Sequence, residues 1–198
     1  ILNTSLDANK QIKDISAITE EETKQISIFN ETEHNYDIPA NTTLYSLFEA
    51  QAEKNGNKVC IIANDKEITF KEFKAYAERL DNKIRAITEE KSVIAVICER
   101  SFEMYGAVYG IIRGGNAYLP IAPDYPQDRI DYILENSKAK AVIAQEKFCH
   151  LAGNTPCINA TEVLNNKETI EATEILANEE DTAYVIYTSG STGNPKGA

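Results

Sequence analysis

The residues best suited to chemistry lie at the end of the chain. Thr188, Ser189, Ser191 and Thr192 supply four hydroxyls, Gly190, Gly193 and Gly197 three glycines, and Lys196 one cation, in the order Thr-Ser-Gly-Ser-Thr-Gly-Asn-Pro-Lys-Gly. Glycines let backbone N–H groups approach an anion with no Cβ in the way. Hydroxyls add donors, and a lysine adds a compact positive charge. Such a loop suits a phosphate group. It is not the Walker loop, in which Gly-Lys-Ser/Thr closes the motif at a fixed distance from the first glycine. Counting from Gly190, that second glycine position is taken by Pro195. The alternative is a flexible Ser/Gly linker, but linkers do not usually follow a run such as 183–187, Ala-Tyr-Val-Ile-Tyr, which reads as a buried strand.

The elements that must position this loop can be read upstream. Strand and helix patterns alternate from residue 58 onward, with apolar strands, which predicts an α/β fold with a largely parallel sheet and helices on both faces. Strands are expected at 59–63, 67–69, 93–98, 117–119, 141–144 and near 157–158. A helix is expected from Thr42 or Thr43 to Asn55, closed by Gly56, with Leu44, Leu47, Phe48, Gln51 and Ala52 as its buried stripe. Thr69 and Glu72 form a capping box that opens a helix to about Ile87, with Phe73, Ala77, Leu80, Ile84 and Ile87 on one face. Ser101 caps a helix to about Arg113, in which Gly106 and Gly110 allow close packing. A helix from Gln127 to about Asn136 starts at Pro126, and a short one follows Thr161. Residues 1–40 are polar and weakly patterned, save a capping box at Thr19 with Ile26 and Phe29 on one face. Right-handed crossovers place the loops after the strands at one edge, where ligands of such sheets bind, so residues 188–197 fall there.

Composition narrows the classes. The 198 residues are 42% hydrophobic and 26% charged, an ordinary globular balance. A net charge of −11, with 20 Lys and Arg in no basic run, argues against a nucleic-acid surface. No apolar run is long enough to span a bilayer and no signal peptide is visible, so no membrane partner is expected. Cys60 and Cys98 read as small core residues. Cys149, His150 and Cys157 lack zinc-site spacing, so no metal site is expected in the chain itself. A reduced, cytoplasmic protein fits these cysteines. The chain begins at Ile1 rather than Met, as a piece of a longer polypeptide would.

The loop 188–197 resembles the signature of the adenylate-forming (AMP-binding) enzymes, among them the adenylation domains of nonribosomal peptide synthetases, acyl-CoA synthetases and luciferases. Residues 68–73 resemble the first core motif of that family, and residues 113–126 the second, with Asn116 where glycine is usual and Ala122 where aspartate is usual. The resemblance implies the N-terminal part of the adenylate-forming fold, ending after the phosphate loop. It implies that Thr188, Ser189, Gly190, Ser191, Thr192, Gly193 and Lys196 bind the β- and γ-phosphates of ATP, with Lys196 stabilising the departing pyrophosphate. ATP with Mg2+ is then the implied nucleotide. Residues 28–36 resemble the linker between a condensation and an adenylation domain, which implies a linker over residues 1–40 and an adenylation domain from residue 41. The implied reaction joins an amino acid to AMP, then passes it to the phosphopantetheine of a peptidyl carrier protein. The same loop would serve an acyl-CoA synthetase, a D-alanine carrier-protein ligase or a non-catalytic scaffold. By itself this polypeptide is expected to be inactive, because the amino-acid pocket, the adenine contacts and a late lysine of the family are not in it.

Overall fold

The computed structural model describes residues 18–34, 36–166, 168, 173–188 and 195–198. The chain divides into two units, Ile1–Pro39 and Ala40–Ala198. In the first, helix α1 (Glu20–Phe29) starts at the capping box read from the sequence. The Glu22 N–H donates to Thr19 Oγ1 at 3.1 Å and the Thr19 N–H to Glu22 Oε2 at 2.7 Å. None of its residues is buried, so Ile26, Ile28 and Phe29 stand exposed.

The second unit opens with α2 (Leu44–Asn55), capped by Thr43. Its buried stripe is Tyr45, Phe48 and Ala52. The expected burial of Leu44, Leu47 and Gln51 does not hold, since all three are exposed. Phe48 explains the rotation of the stripe: its ring meets those of Tyr45, Phe73 and Tyr109, and Leu44 and Leu47 lie to one side of that line. Gly56 ends the helix in a right-handed conformation, with its carbonyl accepting from the Lys71 N–H. Strands β1 (Val59–Ala63) and β2 (Lys66–Thr69) form an antiparallel hairpin. Asn64 and Asp65 both take positive φ at its turn, as a type I′ hairpin turn requires. Thr69 then caps α3 (Phe70–Arg85) in the expected capping box with Glu72. Phe73, Ala77, Leu80 and Ile84 are buried as read, whereas Ile87 lies past the helix end and is exposed.

Four parallel strands follow: β3 (Val93–Ile97), β4 (Ala117–Pro120), β5 (Ala141–Ala144) and β6 (Cys157–Asn159), in the order β4-β3-β5-β6. Between them run α4 (Phe102–Arg113), α5 (Gln127–Ser137) and a 3-10 helix (Glu146–Ala152), and α6 (Ala160–Asn165) follows β6. The short last helix starts one residue before Thr161, with Asn159 as its cap. Alternation along the strands builds two cores. Ile94, Val96, Ala141 and Ile143 face α2, α3, α4 and α6, while Ala95, Ile97, Val142 and Ala144 face α5 and the 3-10 helix. Helices therefore cover both faces, and the apolar runs of β3 and β5 are explained.

Helix α4 lies close on α3, and the two glycines read from the sequence are the reason. A Cβ at Gly106 would fall 2.0 Å from Tyr76 Cε1, and one at Gly110 2.9 Å from the Ala77 carbonyl oxygen. Tyr76 is fully buried, and its hydroxyl donates to the Ala160 carbonyl at 3.0 Å.

Candidate functional site

Residues 183–188 run beside β4, at the outer edge of the sheet. The Tyr118 N–H donates to the Ala183 carbonyl and the Val185 N–H to the Tyr118 carbonyl, each at 3.0 Å. This is a parallel bridge centred on Tyr184, so the segment travels with the sheet and reaches its carboxyl edge at Thr188. The expectation of a buried strand at 183–187 needs correction. Val185 and Tyr187 pack on the α5 side of the sheet, but Tyr184 is 51% and Ile186 44% exposed. An edge segment has one face on the core and the other open, which gives alternation rather than continuous burial.

The outer side of this segment pairs with residues 196–198. Strands β7 (Tyr187–Thr188) and β8 (Lys196–Gly197) are antiparallel, with Thr188 opposite Lys196 and Tyr187 opposite Gly197. Ile186 and Ala198 exchange two N–H···O bonds of 3.0 Å each. Tyr187 anchors the pair, its hydroxyl donating to Asn136 Oδ1 at 2.6 Å. Its ring also lies over Gly197, where a Cβ would come within 2.8 Å of Cε2, so this position needs glycine. Directly opposed residues present their side chains on the same side of a hairpin. The Thr188 hydroxyl and the Lys196 ammonium thus share one exposed side. Among the described residues Lys196 forms no ion pair. A hydroxyl and an uncommitted cation at the carboxyl edge are a donor set that suits a polyphosphate. The other expected binding residues, Ser189, Gly190, Ser191, Thr192 and Gly193, lie outside the described residues.

The loop after β4 sets the start of α5. The Tyr125 N–H donates to the Ala122 carbonyl at 3.2 Å, a turn that leads into α5 at Pro126. Asn116 is buried, and its Oδ1 accepts from the Ser92 N–H at 2.8 Å, tying the entries of β3 and β4 together.

Sequence reasoning missed a buried ionic cluster. Asp81 and Arg113 are both buried and paired, and Arg85 closes on the same carboxylate with its Nη2 at 2.7 Å and Nε at 3.0 Å. Burial works to lower the Arg113 pKa, but the Asp81 hydrogen bond and charge outweigh it and hold the guanidinium firmly cationic. The sequence did carry a signal. Asp81 occupies a position of the buried α3 stripe, between Leu80 and Ile84, and its helical neighbour at i+4 is Arg85.

Cys98 is buried as expected, and burial pushes its thiol up to about 12. Among the described residues no group of three or more His, Cys, Asp or Glu side chains is arranged to hold a metal, and no helix is long and apolar enough to cross a membrane.

Comparison with known proteins agrees with this geometry. The chain is 37% identical over 188 residues to bacitracin synthase 2 of Bacillus licheniformis, covering 94% of this chain and 7% of that protein. It is 36% identical over 197 residues to gramicidin S synthase 2 of Brevibacillus brevis, covering 94% of this chain and 4% of that one. The chain thus spans less than a tenth of the length of these relatives. Among solved structures it is similar to the nonribosomal peptide synthetase FmoA3 in a form bound to α-methyl-L-serine-AMP. The TM-score is 0.74 at 30% identity, covering 88% of this chain and 20% of that one. FmoA3 bound to AMPPNP matches with the same TM-score of 0.74. The family model described as AMP-binding enzyme matches residues 48–198, and the chain belongs to that family.

Proposed function

We propose that this chain is the N-terminal part of an amino-acid-activating adenylation domain in a nonribosomal peptide synthetase. The observation that carries the reading is the hairpin at the carboxyl edge, where Thr188 and Lys196 stand opposed and exposed. Its support is the similarity to peptide synthetases over 94% of the chain.

In the reaction, the carboxylate of an amino acid attacks the α-phosphate of ATP, giving an aminoacyl-adenylate and pyrophosphate. Negative charge builds on the departing pyrophosphate, and fixed donors lower the barrier most when they are already in place. Lys196, the hydroxyls of Thr188, Ser189, Ser191 and Thr192, and backbone N–H groups at Gly190 and Gly193 would hold the β- and γ-phosphates. These groups act electrostatically and transfer no proton. Mg2+ bound with the triphosphate would share in neutralising it. The acyl group then passes to the phosphopantetheine thiol of a peptidyl carrier protein. Residues 1–40 form the linker from a preceding condensation domain. That assignment draws support from relatives that match most of the chain, although the family match starts at residue 48. The whole enzyme works in the cytoplasm.

The test is ATP–pyrophosphate exchange by the intact synthetase across the amino acids. Exchange that depends on one or a few amino acids is expected. Exchange driven only by fatty acids, or none with any amino acid, overturns the reading.

A further inference from the structure

The buried Asp81–Arg113 pair does more than fill the core between α3 and α4. Arg113 reaches past Asp81 to a segment far along the chain. Its Nη1 donates to Thr173 Oγ1 at 2.9 Å and its Nη2 to the Thr173 carbonyl. The Arg113 carbonyl accepts from the N–H groups of both Leu176 and Ala177, each at 3.2 Å. Thr173 in turn donates to Asn82 Oδ1 at 3.0 Å, and Arg85 Nη2 donates to the Glu174 carbonyl at 2.7 Å. One arginine thus grips residues 173–177 with its side chain and its main chain.

Among the described residues their other anchor is Ile175, half-buried against the core of α3 and α4. Glu174 and Leu176 are exposed, and Thr173, Ile175 and Ala177 are half-buried. They lead, through a turn in which the Asn178 N–H donates to Asp181 Oδ2 at 2.8 Å, into the edge segment 183–188 and so to Thr188. The Lys91–Asp181 ion pair is a further tie, but Lys91 is largely exposed, and exposed pairs contribute little. The close seating shows at Gly115, where a Cβ would meet Asp181 Oδ2 at 2.7 Å and the Leu176 carbonyl oxygen at 3.0 Å.

We infer that Arg113 is a positioning residue. Its guanidinium, aligned by Asp81, fixes residues 173–177 and through them the edge segment that ends in Thr188. The planar fork is what the task requires: Nη1 serves Asp81 and Thr173 Oγ1, while Nη2 serves the Thr173 carbonyl. A lysine ammonium keeps the charge opposite Asp81 but does not reproduce that geometry. The inference concerns the order of this segment and holds whatever the loop binds, so it can fail without the adenylation reading failing, and the reverse.

The test is amide hydrogen exchange on the 198-residue chain carrying Thr173→Val, Thr173→Ser or Arg113→Lys. Thr173→Val keeps the shape and removes the hydroxyl, and Thr173→Ser restores it. In Thr173→Val and Arg113→Lys the amides of Leu176, Ala177 and Val185 are expected to exchange about tenfold faster, the effect of roughly one charge-assisted hydrogen bond. Thr173→Ser behaves as wild type, and low urea leaves the rates at 176, 177 and 185 unchanged while it speeds Val142 in β5, as local opening of the segment requires. Unchanged rates at 176, 177 and 185 in both variants overturn the inference. So do rates at 176, 177 and 185 that rise with urea in step with Val142, which would mean that the segment opens only with the whole fold.

Discussion

Replacing Gly106 with alanine should destabilise the protein, although alanine is the better helix former by about 0.8–1.0 kcal/mol. The reason is the close approach of α4 to α3. The new methyl would sit 2.0 Å from Tyr76 Cε1 and 2.3 Å from Cδ1, whereas carbon atoms rest at about 3.5–4.0 Å. Tyr76 is fully buried, and its hydroxyl is committed to the Ala160 carbonyl at 3.0 Å, so the ring cannot retreat without breaking that bond. Overpacking costs about 1–3 kcal/mol and a lost buried hydrogen bond about 1–3 kcal/mol more. After the helix gain is subtracted, the net loss is about 1–5 kcal/mol. For a chain of this size a loss of 3 kcal/mol lowers Tm by about 6–12 °C. Urea unfolding followed by circular dichroism measures it. Because the clash is with one ring, Tyr76→Leu in the same chain should make the double variant more stable than the sum of the two single losses. A Gly106→Ala protein as stable as wild type, or strict additivity with Tyr76→Leu, would refute the reasoning.

Two further outcomes follow from buried groups. Asp81→Ala leaves the Arg113 cation buried without its carboxylate, and should cost about 3–5 kcal/mol in urea unfolding. Asp81→Ala with Arg113→Met should recover much of that loss, and no recovery would contradict a charge-based cause. Stability should also fall in alkali. The Cys98 thiol is held protonated by burial, with its pKa pushed up to about 12, while in the unfolded chain it ionises near the ordinary value of 9.0. Above that value the unfolded state binds fewer protons, so Cys98 contributes a loss of up to about 1.4 kcal/mol per pH unit until its folded pKa is reached. Cys98→Ala should show a shallower decline between pH 8.5 and 10.5, and an identical slope contradicts the burial.

Much of the scaffold was legible because local chemistry set it. Thr19, Thr43, Thr69 and Ser101 each cap the helix that follows, and capping depends on residues three apart. The glycine pair of α4 was legible for the same reason, its spacing marking one helical face. The stripe of α2 was not, since Leu44 and Tyr45 are both apolar enough to lead it. The choice fell to an aromatic cluster built by Phe73 and Tyr109, elements remote in sequence. Arg113 was read as the end of an apolar helix, and nothing nearby announced Asp81 or Thr173 as its partners, which lie 32 and 60 positions away. At the loop, residue types pointed to anion chemistry. The opposition of Thr188 and Lys196 across a hairpin came from pairing that no periodicity encodes.

The most direct test of the central claim is Lys196→Ala in the intact synthetase, assayed by amino-acid-dependent ATP–pyrophosphate exchange alongside amino-acid binding. Loss of one preorganised charge at the developing anion should lower kcat by about 100- to 1,000-fold, while the Kd for the amino acid stays near its wild-type value. Undiminished exchange, or an equal loss in exchange and amino-acid binding, would contradict a loop built to hold the triphosphate.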